Sequence, residues 1–282
     1  MHVPQPNCFI VHSPPLPNST SSVSPLIIGH RGASIVAPEN TLISFERALD
    51  EGADGVELDV RLARDGVPVV IHDANLQRTG LSRGVVAEMT SNELGRADVG
   101  SWFNRVLPRL ANTEYTRQFV PSLDQTLRFF KGRCASSGVI YLEMKTGQAE
   151  DTYVELCRSV VQLIHELGMK SRVVVVSFNL RAVAQIKTLD PGIRTGALFE
   201  PRRHALKIIR KHPMITAALE SGADEILLHR LIANRRNVDL SLEGNLLPVV
   251  WTVDDPKWVR RAASMGIHAI ITNDPAAMVA SK

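Results

Sequence analysis

Three carboxylates and one lysine lie on two candidate strands of the sequence. Glu57 and Asp59 are two residues apart on one strand, and Glu143 and Lys145 are two residues apart on another. Side chains at i and i+2 of a strand share a face, and neighbouring strands lie about 4.8 Å apart. If these strands are neighbours, the three carboxylates converge. Such a cluster repels itself unless protons or a cation neutralise it.

A cluster of carboxylate oxygens suits a hard divalent cation that keeps coordination places open for substrate oxygens. A Glu-x-Asp pair alone is a weak signal, since exposed strand residues are often acidic. Convergence with Glu143 strengthens it. We therefore predict one divalent cation, Mg²⁺ or Ca²⁺ with Mn²⁺ also possible, held by Glu57, Asp59 and Glu143.

A hairpin signal, Asp65-Gly66, follows the strand that carries Asp59. A two-residue loop there would place Arg64 opposite Val67, and continued pairing would place His72 opposite Asp59. Directly opposed residues of an antiparallel pair share a face, with Cβ atoms about 5 Å apart. The sequence therefore predicts that His72 lies beside the carboxylate of Asp59.

His30 ends the first candidate strand in a glycine-flanked turn and supplies a second imidazole. A lone histidine at a strand end is usually structural, but His30 and His72 as a pair can serve as acid and base around one scissile bond. Arg31 and Lys145 add positive charge that could hold a phosphate. A salt bridge to a neighbouring carboxylate is an equal alternative for Lys145.

Aromatic side chains form two further groups of candidates. Phe178 and Trp251 each end a candidate strand, where they could form an apolar wall for a substrate or simply pack. Trp102 and Phe103 could cover the mouth of the site or pack beneath their own loop, and packing is favoured.

Eight candidate strands alternate with helical segments, which predicts an α/β fold, a (β/α)₈ TIM barrel. An insertion at about residues 74–121 follows the second strand, where a connection of two to six residues is usual. Asn40 is predicted to cap the first helix. The predicted strands are 26–30, 55–60, 139–145, 173–178, 195–199, 225–229, 248–253 and 269–272. The predicted helices are 41–51, 122–130, 151–167, 180–189, about 206–220, about 234–243 and 256–264.

Composition excludes several classes of protein. The 282 residues are 44% hydrophobic and 22% charged with a net charge of +3, which is typical of a globular chain. No basic run interleaved with aromatics indicates a nucleic-acid partner. No apolar stretch approaches the roughly 18 residues that span a bilayer. Residues 1–25 lack a basic start and are rich in proline, which predicts a disordered tail rather than a secretory signal. Three cysteines without metal-type spacing favour the cytoplasm.

Short motifs follow one another along nearly the whole chain from residue 26. They are Gly29-His30-Arg31-Gly32-Ala33, Ala37-Pro38-Glu39-Asn40-Thr41, Val56-Glu57-Leu58-Asp59-Val60, Asp65-Gly66-Val67-Pro68-Val69-Val70-Ile71-His72-Asp73, Gly100-Ser101-Trp102-Phe103, Pro121-Ser122-Leu123, Glu143-Met144-Lys145, Ser177-Phe178-Asn179 and Trp251-Thr252-Val253. In their residues and their order, these motifs resemble those of the glycerophosphodiester phosphodiesterase family.

The resemblance implies a barrel with a small insertion after the second strand, and hydrolysis of a small glycerophosphodiester to glycerol 3-phosphate and an alcohol. It implies attack by the neighbouring glycerol hydroxyl, giving a cyclic phosphate that water then opens. The matching positions are Glu57, Asp59 and Glu143 as metal ligands, His30 and His72 as the acid-base pair, and Arg31 and Lys145 as phosphate contacts.

The chain departs from the family's usual pattern in two places. Near the last strand it has Gly266-Ile267-His268-Ala269-Ile270-Ile271-Thr272-Asn273 where Gly-Val-Asp-Gly-Ile-Ile-Thr-Asp is usual, and Asp254 stands where Asn is usual. The sequence predicts at most an altered wall around the glycerol from these changes. Two other functions remain open. One is lysophospholipase D action, for which Trp102, Phe103, Val106 and Leu107 could supply an acyl groove. The other is a barrel that binds phosphodiesters without cleaving them.

Overall fold

The computed structural model describes residues 24–133, 138–146, 150–201 and 213–282. Eight parallel strands close into a barrel, because the first strand pairs with both the second and the last, which confirms the predicted fold class. The barrel strands are β1 (Leu26–His30), β2 (Gly55–Leu62), β4 (Val139–Met144), β5 (Val173–Ser177), β6 (Arg194–Phe199), β7 (Glu225–His229), β8 (Leu247–Trp251) and β9 (Ala269–Thr272). A ninth strand, β3 (Pro68–Val70), pairs antiparallel with β2 outside the ring.

Helices follow the strands and cover the barrel. They are α1 (Leu42–Asp50), α2 (Ser91–Leu94), α3 (Ser101–Val106), α4 (Leu123–Arg133), α5 (Glu150–Leu167), α6 (Leu180–Leu189), α7 (Pro213–Glu220), α8 (Arg235–Glu243), α9 (Lys257–Met265) and α10 (Pro275–Val279). The start of the helix predicted at about 206–220 lies outside the described residues, as do residues 1–23 of the predicted tail. The sequence analysis missed α10, since five residues are too few to show a helical period.

The alternation of side chains along β2 and β4 decides where the acidic residues point. Val56, Leu58 and Val60 belong to the buried layer between the barrel and its helices. Their neighbours Glu57 and Asp59 therefore face the barrel interior. The same alternation on β4 sends Ile140, Leu142 and Met144 outward and Tyr141 and Glu143 inward.

The segment after β3 builds a small core of its own. Buried apolar side chains from the hairpin and the insertion pack together there, namely Ala63, Val69, Ile71, Leu76, Val86, Leu94, Val99 and Val120. Phe103 is fully buried against Ala37 and Tyr115, and Trp102 donates its indole N–H to the Val99 carbonyl at 2.8 Å. The aromatic pair therefore packs within its own loop, as favoured from the sequence.

The hairpin register predicted from Asp65-Gly66 is wrong by one residue. Ala63, not Arg64, pairs with Val67, so the loop has three residues, and Gly66 takes a φ of +75° that closes it. A three-residue loop ending in a left-handed glycine is a common alternative to the two-residue turn. Asp59 therefore lies opposite Ile71, whose N–H donates to the Asp59 carbonyl at 2.9 Å.

The predicted cap of the first helix is also wrong. Thr41 caps α1, because its hydroxyl accepts the N–H of Ser44 at 3.3 Å. Asn40 lies just before the cap with a φ of +56°, a left-handed conformation that asparagine tolerates better than most residues. Its side chain is thereby freed for another contact.

None of the helices in the described ranges combines the length and apolarity that crossing a bilayer requires.

Candidate active site

Three buried carboxylates meet at the carboxyl ends of β2 and β4. The register pairs Asp59 with Glu143, and Glu57 lies two residues earlier on the same face as Asp59. One carboxylate oxygen from each residue lies within 4.8 Å of the other two. Glu57 Oε1 is buried and has no hydrogen-bond donor among the described residues. An unsatisfied buried oxygen is costly, and a bound cation would satisfy it. The three residues therefore fit a hard metal ion.

The two predicted phosphate contacts are ion-paired within this cluster. Lys145 Nζ lies 3.0 Å from Asp59 Oδ1 and also contacts Glu143 Oε1. Arg31 Nε lies 3.1 Å from Asp59 Oδ2, and its Nη1 lies 2.7 Å from Glu39 Oε1. The salt bridge considered for Lys145 from the sequence is therefore present. If all three carboxylates are ionised, they outnumber the two cations by one.

Burial and mutual repulsion shift the pKa of each carboxyl group. Burial, with the nearby charges of Asp59 and Glu143, raises the pKa of Glu57 well above its usual range. Burial, with the charge of Asp59, raises the pKa of Glu143 to about 7. Burial would also raise the pKa of Asp59, but Lys145 and Arg31 outweigh it and hold that pKa below its usual range. Asp59 is thus the permanently ionised member of the cluster.

Asn40 holds Asp59 in place from the loop before α1. Its Nδ2 donates to Asp59 Oδ2 at 2.7 Å, and its Oδ1 accepts the Asp59 backbone N–H at 3.2 Å. The sequence analysis missed this contact because it assigned Asn40 to the helix cap. The residue's position two places after Pro38, inside a turn, was compatible with either role.

His30 lies at the end of β1 beside the cluster. Its Nε2 is 3.9 Å from Glu57 Oε2, and its Nδ1 is 2.7 Å from Asn273 Oδ1. Burial, with the charge of Arg31, lowers the pKa of His30 to about 4. The neutral imidazole is therefore the favoured form in the metal-free protein.

His72 reaches the same pocket from the chain beyond β3. Its Nδ1 lies 2.6 Å from Asp73 Oδ1, and its carbonyl accepts from Arg61 Nε at 2.7 Å. Asp73 Oδ2 accepts from Arg78 Nε at 2.7 Å. Arg78 in turn forms two bonds, of 2.6 and 2.8 Å, to the carboxylate of Glu39. Arg78 of the insertion thus holds Asp73, and Asp73 holds the imidazole of His72. The sequence analysis assigned no role to Arg78 or Glu39.

Two of the three carboxylates, Glu57 and Glu143, and both imidazoles line one pocket of about 330 Å³, and Asp59 lies buried beside them. One side of the pocket is polar, and the other is formed by Phe178, Trp251 and aliphatic barrel residues. The two aromatic rings meet edge to face at 5.5 Å, and Trp251 Nε1 donates to the Leu227 carbonyl at 3.1 Å. The lining residues are His30, Arg31, Glu57, His72, Glu143, Lys145, Val176, Phe178, Leu198, Glu200, Leu227, Trp251, Thr252 and Ile271.

A larger depression, of about 760 Å³, lies at the other end of the barrel, near the starts of β5 and β6. It is open, and its lining residues His165 and Lys170 are both paired with Asp190. It contains neither a carboxylate cluster nor an imidazole pair among the described residues, so the smaller pocket is the candidate site.

Comparison with known proteins identifies relatives across most of the chain. Residues 30–277 match the model of the "Glycerophosphoryl diester phosphodiesterase family". The chain is 31% identical over 257 residues to a glycerophosphodiester phosphodiesterase of Bacillus subtilis, which covers 89% of this chain and 84% of that protein. It is 29% identical to a glycerophosphodiester phosphodiesterase of Caldanaerobacter subterraneus, covering 90% of this chain and 96% of that one.

Solved structures share the fold. A glycerophosphodiester phosphodiesterase from Agrobacterium tumefaciens has a TM-score of 0.72 at 27% identity and covers 91% of this chain and 99% of that chain. An Oleispira antarctica phosphodiesterase, solved with the product sn-glycerol-3-phosphate, has a TM-score of 0.76 at 24% identity and covers 92% and 96%. At that identity the second likeness shows the fold alone.

Proposed function

Because the chain belongs to the glycerophosphoryl diester phosphodiesterase family and is therefore a phosphoric diester hydrolase, we propose that it uses one divalent cation to convert glycerophosphodiesters to glycerol 3-phosphate and an alcohol. The observation that carries this proposal is a cluster of three buried carboxylates beside one pocket, which Glu57, Glu143 and the two imidazoles line. The Bacillus subtilis and Caldanaerobacter subterraneus relatives, both named glycerophosphodiester phosphodiesterases, support the same reaction here.

Glu57, Asp59 and Glu143 hold the cation in this proposal, with Mg²⁺ or Ca²⁺ as the favoured ions and Mn²⁺ possible. The unsatisfied Glu57 Oε1 and the raised pKa of Glu143 both indicate a cluster that lacks positive charge. A bound divalent ion polarises phosphoryl oxygens and stabilises the charge that develops on them. Asn40 keeps the carboxylate of Asp59 oriented for this purpose.

His30 and His72 act as the acid-base pair. Each uses Nδ1 to contact a side-chain oxygen, of Asn273 and Asp73 respectively, so each keeps Nε2 for proton transfer. One imidazole accepts the proton of the neighbouring glycerol hydroxyl as that oxygen attacks phosphorus. The other donates a proton to the departing alcohol. A cyclic phosphate results, and water opens it with the two proton transfers reversed.

Arg31 and Lys145 contact the phosphate, with Arg31 supplying a planar fork and Lys145 a point charge. Both are ion-paired to Asp59. A cation held by Asp59 would weaken these ion pairs and leave part of the charge of Arg31 and Lys145 for the substrate. Phe178 and Trp251 form the apolar wall of the substrate pocket, where the aliphatic parts of the glycerol and the head group can lie.

Short diesters are favoured over lysolipids. A lysolipid needs an apolar groove at the pocket mouth for its acyl chain, and Trp102, Phe103, Val106 and Leu107 were its predicted source. None of the four lines the pocket, and Phe103 is fully buried in a separate cluster. A cytoplasmic location remains a prediction from the cysteine content.

One activity screen tests the proposal. Purified protein is treated with chelator, then assayed with Mg²⁺, Mn²⁺, Ca²⁺ or Zn²⁺ against four glycerophosphodiesters and one lysolipid. We expect glycerol 3-phosphate from the diesters with at least one hard divalent cation, and none after chelation. Binding without product in every combination would instead support the non-catalytic barrel, and preferential cleavage of the lysolipid would support lysophospholipase D action.

A further inference from the structure

Behind His30, a row of hydrogen bonds joins the ends of three neighbouring strands. Asn273, just after β9, accepts at Oδ1 from His30 Nδ1 at 2.7 Å and from Ser34 Oγ at 3.0 Å. Its Nδ2 donates to Asp254 Oδ2 at 2.8 Å. The row therefore runs from Asp254, after β8, through Asn273 to the imidazole at the end of β1.

Asp254 is itself held on its other oxygen. Its Oδ1 accepts the backbone N–H of Asn273 at 2.7 Å and the hydroxyl of Thr272 at 3.0 Å. Neither Asp254 nor Asn273 lines the substrate pocket. These two departures from the usual family sequence thus lie behind His30 rather than in the glycerol wall, and their side chains are hydrogen-bonded to each other.

The chemistry of these groups gives the row a direction. An ionised carboxylate only accepts, so Asp254 requires the amide NH₂ of Asn273 to face it. The amide oxygen must then face His30, and an amide oxygen also only accepts. His30 Nδ1 therefore carries a hydrogen, and Nε2, 3.9 Å from Glu57 Oε2, is left to exchange a proton in the pocket.

We propose that Asp254 and Asn273 are positioning residues for the reaction: Asp254 orients the Asn273 amide, and that amide fixes the tautomer and ring orientation of His30. The inference rests on the proposed function, since it assumes that His30 transfers a proton. It adds two residues that touch neither substrate nor metal ligands.

Exchanging the two side chains tests this proposal directly. D254N replaces an obligate acceptor with an amide that can present either end, so the direction of the row is lost. N273D places a second carboxylate 2.8 Å from Asp254, where the two repel. In the double variant, the amide oxygen of Asn at position 254 can accept the backbone N–H of residue 273 and the hydroxyl of Thr272. Its amide NH₂ can donate to the carboxylate of Asp at position 273, so the row of hydrogen bonds is restored.

We expect D254N and N273D each to lower kcat by about 10- to 100-fold with little change in KM, since misplacing a reacting group carries a penalty of this order. The double variant should recover to within a few fold of wild type. D255N is the matched control, because Asp255 lies next to Asp254 but accepts the Lys257 N–H at 3.0 Å and does not contact the row. Its kcat should match wild type.

A second readout does not depend on turnover. The ¹⁵N spectrum of the imidazoles, with His30 assigned by its absence in H30Q, should show wild-type His30 with its hydrogen on Nδ1. D254N should show a mixture of tautomers. Wild-type His30 carrying its hydrogen on Nε2 overturns the proposal, as does a double variant that is as impaired as the two single changes combined. If wild type cleaves no diester yet His30 is the Nδ1–H tautomer, the proposed function fails and the positioning of the ring does not.

Discussion

Asn40 and Asp59 exchange two hydrogen bonds, with Asn40 Nδ2 at 2.7 Å from Asp59 Oδ2 and the Asp59 N–H at 3.2 Å from Asn40 Oδ1. The pair ties the loop before α1 to the carboxyl end of β2. Asp59 also faces Lys145 and Arg31, so its carboxylate is held from three directions. The bonds from Asn40 leave the orientation of Asp59 little freedom before any cation arrives.

Two substitutions of Asn40 should separate the effect of losing its contact with Asp59 from the effect of straining its left-handed backbone. N40G keeps the left-handed φ of +56° without strain and removes the amide, whereas N40A removes the amide and adds strain of about 1 kcal/mol or more. We expect both to lower kcat by about tenfold or more, because the carboxylate of Asp59, which is proposed to hold the cation, loses its orientation. Only N40A should also lose free energy of unfolding through strain. Steady-state kinetics and urea unfolding measure the two effects.

The control for Asn40 is Asn245, which is exposed, lies far along the chain before β8, and has a φ of +57°. N245A should lower the free energy of unfolding by a similar strain of about 1 kcal/mol and leave kcat unchanged. Wild-type kinetics in N40G would show that the contact between Asn40 and Asp59 has no part in catalysis.

The comparison of Asn40 with Glu57 shows what the sequence could and could not predict. Glu57, Asp59 and Glu143 were predictable, because the alternation of buried residues on β2 and β4 decides which side chains face inward. Asn40 was not, because a left-handed turn residue and a helix cap share the same sequence signals. The fold class followed from eight strand-helix units, but the exact helix boundaries and the short α10 did not.

The hairpin shows a second limit of prediction. Asp65-Gly66 signals a turn but does not distinguish a two-residue from a three-residue loop, and one residue of difference changes which residues lie opposite each other. His72 nevertheless lines the pocket, because β3 ends at Val70 and the bond from Ile71 to Asp59 comes before His72 in the chain. The contacts among Arg78, Glu39 and Asp73 span 39 residues and leave no local pattern in the sequence.

Arg78 should support His72 through Asp73. In R78A the Asp73 carboxylate loses its bond to Nε, and Glu39 loses two bonds, so Asp73 no longer holds the imidazole rigidly. We expect kcat to fall by about tenfold with KM nearly unchanged. R83A, which removes an exposed arginine of the same insertion, is the control and should behave as wild type. Equal kinetics in R78A and R83A would exclude a role for Arg78.

Glu143 should make the metal-free protein less stable as pH rises. Its pKa is raised to about 7, so the folded state binds this proton more tightly than the unfolded chain, whose pKa is near 4.5. The contribution is fully present below pH 4.5 and is lost as pH rises through about 7. E143Q cannot titrate at this position. The free energy of unfolding of wild type relative to E143Q should therefore fall between these two pH values.

Urea unfolding in chelator at several pH values measures this difference. The lowered pKa of His30 acts with the opposite sign over part of the same range, because burial disfavours its charged form, but it is present in both proteins and largely cancels on subtraction. A difference that stays constant, or that grows with pH, would show that Glu143 is ionised throughout.

Phe178 should contribute to substrate binding rather than to the chemical step. Its ring is 41% exposed and lines the pocket beside Trp251. F178A removes part of the apolar wall, so we expect KM to rise by about 3- to 10-fold with kcat within twofold, the size expected for a lost apolar contact. Phe119 is 43% exposed and does not line the pocket, which makes F119A a matched control. A fall in kcat without a change in KM would place Phe178 in the chemical step instead.

Calorimetric titration of the chelator-treated protein with Mg²⁺, and with Ca²⁺ and Mn²⁺ in parallel, tests most directly whether the three carboxylates share one ion. We expect one ion per chain for wild type, and at least about a 100-fold weaker affinity for D59N and E57Q, since each removes one charged ligand from a three-carboxylate site. Diesterase activity should reach half its maximum at the ion concentration that half-saturates the site in the titration. Equal ion binding by wild type and D59N, or full activity in protein that binds no ion, would contradict the account.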